Sequence, residues 1–164
     1  MGSRADNIRR RRGMSLVGTM VAVVILLIAL IGTSSFRYYS ALDARKADAQ
    51  TAAARIALML CENWRGVSGD LTYNATAYSG GNLAITASVD GPAKPEDFTL
   101  LGSYAIVLDD VDGVNFYTTL SWKDVQAGLR ALNVIVAWDQ RDQGEGGIGD
   151  VDKSFRLTIY TATL

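Results

Sequence analysis

The sequence predicts an α+β fold: one long N-terminal helix packed on a small antiparallel β-sheet. Three observations predict it. Met14 to Phe36 carries no charged residue, and Met20 to Ile31 is one unbroken apolar run. Arg37 to Trp64 contains neither proline nor glycine and is rich in alanine, leucine and arginine, all good helix formers. Beyond Gly66, short segments rich in Val, Ile, Thr, Tyr and Trp alternate with Gly/Asp/Ser turn signals, which is the pattern of strands.

The first element is the apolar one. Residues 14–36 are long enough to span a bilayer, which takes ~20 apolar residues. Five of the sixteen basic residues (Arg4 and Arg9 to Arg12) and one of the seventeen acidic residues (Asp6) precede it, leaving a net charge of −5 from Gly13 onward. That split places residues 1–13 on the cytoplasmic side by the positive-inside rule and the remainder outside. A cleaved secretory signal fits poorly, because its apolar core is only ~7–15 residues and a small-residue cleavage site follows it. The acidic exterior part also argues against nucleic acid as a partner.

Residues 37–65 continue the helix. Tyr39, Leu42, Ala49, Ala53, Ile56 and Leu60 fall near helical spacing and form one stripe, with Asp43, Arg45, Lys46, Asp48, Arg55 and Glu62 mostly off it. Gly66 is the expected stop. A single helix from Met14 to Arg65 has a length of ~78 Å at 1.5 Å per residue. Gly32-Thr33-Ser34-Ser35 interrupts it with poor helix formers, a membrane-exit boundary or a weak point.

Residues 66–164 form the exterior β-rich domain. The expected strands are Leu83–Val89, Tyr104–Leu108, Asn115–Trp122, Ala131–Trp138 and Phe155–Thr163. Short connections make the sheet antiparallel, and the amphipathic half of the helix covers its apolar face. Trp64, Trp122 and Trp138 read as core residues. The single cysteine, Cys61, sits beside Leu58, Met59 and Leu60, which predicts a buried, inert thiol.

The chemistry of sites is sparse. There is no histidine, no phosphate-cradling glycine loop and no nucleophile with a partner base, so an enzyme is not expected. The loop after Trp138 gathers Asp139, Asp142, Asp150 and Asp152, oxygen ligands of the kind calcium takes. Their spacing fits no EF-hand, and Asp and Gly also make ordinary hairpin loops. The solvated loop is therefore preferred, with no cofactor. Asp109-Asp110-Val111-Asp112-Gly113 reads as an acidic turn, and Asn74-Ala75-Thr76 matches a glycosylation sequon with little information in it.

The segment Arg9-Arg10-Arg11-Arg12-Gly13-Met14-Ser15-Leu16-Val17-Gly18 resembles the start of a type IV prepilin or type II secretion pseudopilin. The resemblance extends to roughly Trp64 and, as architecture, to a C-terminal hairpin of the kind found in minor pseudopilins. It implies a pilin-like fold and cleavage between Gly13 and Met14 by prepilin peptidase. It also implies N-methylation of Met14 and assembly through the apolar helix, with Gly18, Val21, Val24 and Leu27 on the packing surface. The partners it implies are other pilin-like subunits, the peptidase and an inner-membrane assembly platform. The implied location is the bacterial inner membrane, single pass, with the C-terminal domain periplasmic or in an extracytoplasmic filament. One position departs from the pattern: the fifth residue after the cleavage site is Gly18 where the family has glutamate. That departure points to a minor subunit near the filament tip. It also keeps open an unprocessed, signal-anchored periplasmic binding or sensor domain.

Overall fold

A computed structural model describes residues 16–109, 114–139 and 148–163. It contains one long helix, α1 (Leu16–Gly66), and five strands: β1 (Leu83–Ser88), β2 (Thr99–Leu108), β3 (Asn115–Gln126), β4 (Leu129–Trp138) and β5 (Lys153–Ala162). The architecture is α+β, as the sequence predicts. The chain divides into two compact units, one ending at Asp43 and the other running from Ala44 to Leu164.

The described residues of the first unit are helical. Gly32 to Ser35 does not interrupt it: α1 is continuous through all four residues. Thr33 satisfies its hydroxyl locally, its Oγ1 donating toward the carbonyls of Ala29 and Leu30 at 3.0 Å each. Such back-bonding lets a threonine sit within a helix without an unpaired polar group.

In the second unit the sheet is an antiparallel meander in the order β1-β2-β3-β4-β5. Register puts Phe116 opposite Trp138, Leu120 opposite Val134 and Trp122 opposite Leu132. Val134 then faces Leu157, and Leu132 faces Ile159. Because strand side chains alternate, these residues share one face. That face meets Ala49, Ala52, Ala53, Ile56, Ala57, Leu60, Cys61 and Trp64 of α1 in a single core. The helix side is dominated by alanine, which lets the backbone approach the sheet closely. The expected stripe needs correction at its start: Tyr39 is 65% exposed, and burial on α1 begins at Ala49.

The helix stops through its own backbone. Ser68 N donates to Arg65 O at 2.9 Å and Gly69 N to Trp64 O at 3.0 Å. Ser68 and Gly69 both have positive φ (57° and 68°), the left-handed turn that reverses a helix end. The reversal therefore lies two to three residues beyond Gly66, which is itself helical. After it, Trp64, Tyr73 and Tyr78 stack in series with ring centroids 5.8 and 5.7 Å apart. Asn74 of the sequon caps a short 3-10 helix (Ala75–Tyr78), its Oδ1 accepting from Thr76 N.

The opposite face of the sheet is covered at its centre as well. Thr119, Ser121, Asn133 and Ile135 point away from α1 and are nevertheless buried. The β1–β2 connection lies across this face. Gly91 packs so closely that a Cβ there would stand 2.4 Å from Thr119 Oγ1 and 2.7 Å from Ser103 Oγ. Lys123 Nζ reaches Asp97 Oδ2 at 3.2 Å. Beneath the cover, Asn133 links three strands: Ser121 Oγ donates to its Oδ1, and its Nδ2 donates to Thr158 Oγ1 at 2.7 Å.

Candidate functional site

The most chemically unusual surface among the described residues is the first half of α1. From Leu16 to Phe36 its large apolar side chains are exposed on all sides of the helix, from 51% at Leu27 to 78% at Leu16. Fully burying one such side chain is worth about 1.5–3 kcal/mol. Leaving the whole set in water costs on the order of tens of kcal/mol, which exceeds the ~5–15 kcal/mol net stability of a typical domain. An apolar environment must therefore cover it. The helix is long and apolar enough to cross a membrane. This surface holds Gly18, Val21, Val24 and Leu27, the expected packing positions, and the last three side chains are about half exposed. Gly13 and Met14, the expected processing site, lie outside the described residues.

The second half of α1 is fastened to the sheet by groups that periodicity does not reveal. Arg130 at the start of β4 donates from Nη1 to Gly69 O at 2.9 Å, just past the helix end. Its Nε and Nη2 donate to the two carboxylate oxygens of Asp124 at 2.7 and 3.3 Å. The guanidinium also lies 4.4 Å from the centre of the Trp122 ring. One cation thus ties the helix terminus, the β3–β4 hairpin and an aromatic face together. The hydrogen bond from Arg130 holds the Asp124 carboxyl below its ordinary range. Asp70 is held low by hydrogen bonds from Thr72 N and Thr72 Oγ1. Register could have suggested the first pair, since Asp124 stands directly opposite Arg130 across a hairpin.

Cys61 is fully buried on α1 beside Leu60 and Trp64. Burial, reinforced by the negative charge of Glu62, pushes its thiol from 9.0 up to about 12. A thiol held neutral in this way is a packing group and a poor nucleophile. Burial likewise raises the Tyr73 hydroxyl above its ordinary value. Trp64 and Trp138 are core residues, and Trp122 is half-buried beneath Arg130.

The loop read for calcium is only partly on view. Asp139 follows β4 and Asp152 precedes β5, where it pairs with Lys153 at 3.6 Å. Asp150 belongs to a short 3-10 turn (Ile148–Asp150), and Asp142 lies outside the described residues, as do residues 110–113 of the other acidic turn. Among the described residues no group of three or more Asp, Glu, Cys or His side chains is placed to hold a metal ion. No family model matches the chain, and no curated protein or solved structure matches it.

Proposed function

We propose that this protein is a minor pilin or pseudopilin, a non-enzymatic subunit of a type II secretion or type IV pilus filament. Prepilin peptidase would cut it between Gly13 and Met14. The observation that carries the reading is the division of labour along α1: one half apolar on every side, the other docked on a five-stranded antiparallel sheet. A helix so divided can sit in lipid before assembly and exchange lipid contacts for helix contacts in a filament core. The basic leader ending at Gly13 supports the same reading. In this scheme the chain enters the inner membrane once, with its N-terminus cytoplasmic and residues 66–164 outside.

Gly18 refines the position. In the family, glutamate at this site neutralises the terminal amine of a neighbouring subunit. A shaft subunit without it leaves a buried amine unpaired, at about 3–5 kcal/mol for each subunit added. A subunit at the tip has no such neighbour above it, so low copy number near the tip is the placement that fits. Immunolabelling that decorates the whole filament would overturn that placement.

The decisive experiment is the mass of the N-terminal peptide recovered from membranes. A methylated Met14 terminus is expected, and Gly13→Leu should leave the uncut form. An intact leader in wild-type protein would overturn the processed-pilin reading and leave the second, an unprocessed signal-anchored periplasmic binding or sensor domain, which the absence of glutamate at Gly18 favours.

A further inference from the structure

We propose that Arg37, Tyr38 and Tyr39 form a lipid-headgroup site that sets how deeply α1 sits in the bilayer. The inference rests on the reading of α1 as a membrane anchor and adds to it a register and a ligand class, the phospholipid headgroup. The charge-free stretch from Met14 to Phe36 is long enough to cross the ~30 Å hydrocarbon core of a bilayer with some tilt, and it ends directly before Arg37. The next three residues are the ones that belong at a membrane–water interface. Tyrosine rings rest at headgroup level with the ring toward lipid and the hydroxyl toward water, and an arginine there extends its guanidinium to phosphate.

The geometry agrees with that assignment. Phe36, Tyr38 and Tyr39 are 74%, 63% and 65% exposed, so none is committed to packing within the chain. The two tyrosine rings meet edge to face, with centroids 5.8 Å apart and planes at 71°. They therefore present one joined aromatic surface. Arg37 is exposed beside them and is the sole charged residue between Phe36 and Asp43, so its attraction to phosphate meets no opposing side chain within that stretch. A second protein subunit is the competing occupant. The placement of the first charged residue, Arg37, and of two tyrosines directly after a membrane-length apolar stretch favours lipid, because that is where headgroups lie and a protein partner imposes no such order.

The test uses the full chain with Cys61→Ala, carrying a single environment-sensitive fluorophore at Ser40→Cys or Leu27→Cys. The chain is reconstituted in vesicles of equal parts phosphatidylcholine and phosphatidylglycerol. Nitroxide lipids report depth, with the quencher either near the headgroup or near the acyl methyl end. At position 40 the shallow quencher should dominate, and at position 27 the deep one. Replacing Arg37, Tyr38 and Tyr39 together by alanine should change the shallow-to-deep quenching ratio at position 27 by about twofold as the helix loses its register. An unchanged ratio overturns the site while leaving the anchor intact. Quenching by neither lipid at position 40, with deep quenching kept at 27, means that protein or water occupies the site, which also overturns it. Absence of lipid quenching at both positions overturns the anchor itself. Cleavage at Gly13 is scored separately and does not enter these outcomes.

Discussion

Replacing Gly69 with alanine separates two costs that usually arrive together. Gly69 has φ of 68° and Gly128, in the β3–β4 hairpin, has φ of 79°. An alanine at either must adopt a left-handed conformation, which costs about 1–2 kcal/mol. Both substitutions also restrict the unfolded chain to the same extent, so that term cancels between them. The surroundings differ. At Gly128 an added Cβ meets nothing within 4 Å, whereas at Gly69 it would stand 3.0 Å from Thr161 Cγ2 and 3.2 Å from Leu132 Cδ2. Leu132 is fully buried and Thr161 nearly so, which leaves neither free to move aside. The crowding adds about 1–3 kcal/mol at Gly69 alone. Urea unfolding of the full chain in detergent micelles, followed by tryptophan fluorescence, reads the difference through buried Trp64 and Trp138. The Gly69→Ala midpoint should fall below that of Gly128→Ala by about 1 M. Thr161→Ser removes the offending methyl and should recover part of the loss in the Gly69→Ala background. Equal midpoints for the two alanine variants would refute the close approach of the helix-terminating turn to β4 and β5.

Other outcomes follow from the same geometry. The Cys61 thiol, held neutral up to about 12, contributes stability that is complete below its ordinary pKa and is lost as pH rises from about 9 toward 12. Cys61→Ala should flatten that alkaline loss, and in wild type an aromatic disulfide reagent at pH 8 should react at least about a hundredfold more slowly than with the urea-unfolded chain. Comparable rates would show that the thiol is accessible. Asp124 titrates the other way: its carboxyl is held low by the Arg130 hydrogen bond, so its contribution is present above the ordinary carboxylate pKa of ~4 and disappears as pH falls through its lower folded value. The stability gap between wild type and Asp124→Asn should therefore narrow on acidification, and a gap independent of pH would exclude the ion pair as its cause. Deleting residues 1–35 should release a soluble domain with one cooperative unfolding transition, since the core begins at Ala49; aggregation of that fragment would place the boundary elsewhere.

Much of this fold was legible because its signals are local. Five segments of β-branched and aromatic residues became the five strands, and the glycine- and proline-free stretch became the second half of α1. The errors occurred where long-range contacts override local pattern. β2 begins at Thr99, five residues before Tyr104, because a bulge between Leu100 and Gly102 breaks the alternation while the strand continues. β3 runs past Trp122 to Gln126 because charged Lys123 and Asp124 keep their backbone pairing to Ala131 and Arg130. Tyr39 and Leu42 share the helical spacing of the core stripe, yet spacing cannot say where the sheet that covers the stripe begins. The cover on the far face of the sheet was not legible at all. It depends on Gly91 fitting over Thr119 and Ser103, and one glycine in a turn-rich segment carries no such signal. For the functional surface, charge-free length sufficed to find the apolar half of α1. Gly13, Met14 and Asp142 rest on the sequence alone.

The two halves of α1 reach the same backbone conformation for different reasons. The second half is built on alanine, leucine and arginine, which favour helix in water and, through Ala49, Ala52, Ala53 and Ala57, let it lie close against a sheet. The first half contains Val17, Val21, Val23, Val24, Ile25, Ile28 and Ile31, β-branched residues that lose side-chain freedom in a helix. In water they would weaken the very segment whose large apolar side chains are exposed. In a medium without hydrogen-bonding solvent the balance reverses. Every unpaired backbone amide there costs several kcal/mol, so a single spanning segment must be helical whatever its side chains prefer. The composition of residues 16–36 thus suits a helix that persists only in an apolar surrounding. Lipid meets that requirement, and in the proposed filament packed neighbouring helices would meet it too, whereas full exposure to water does not.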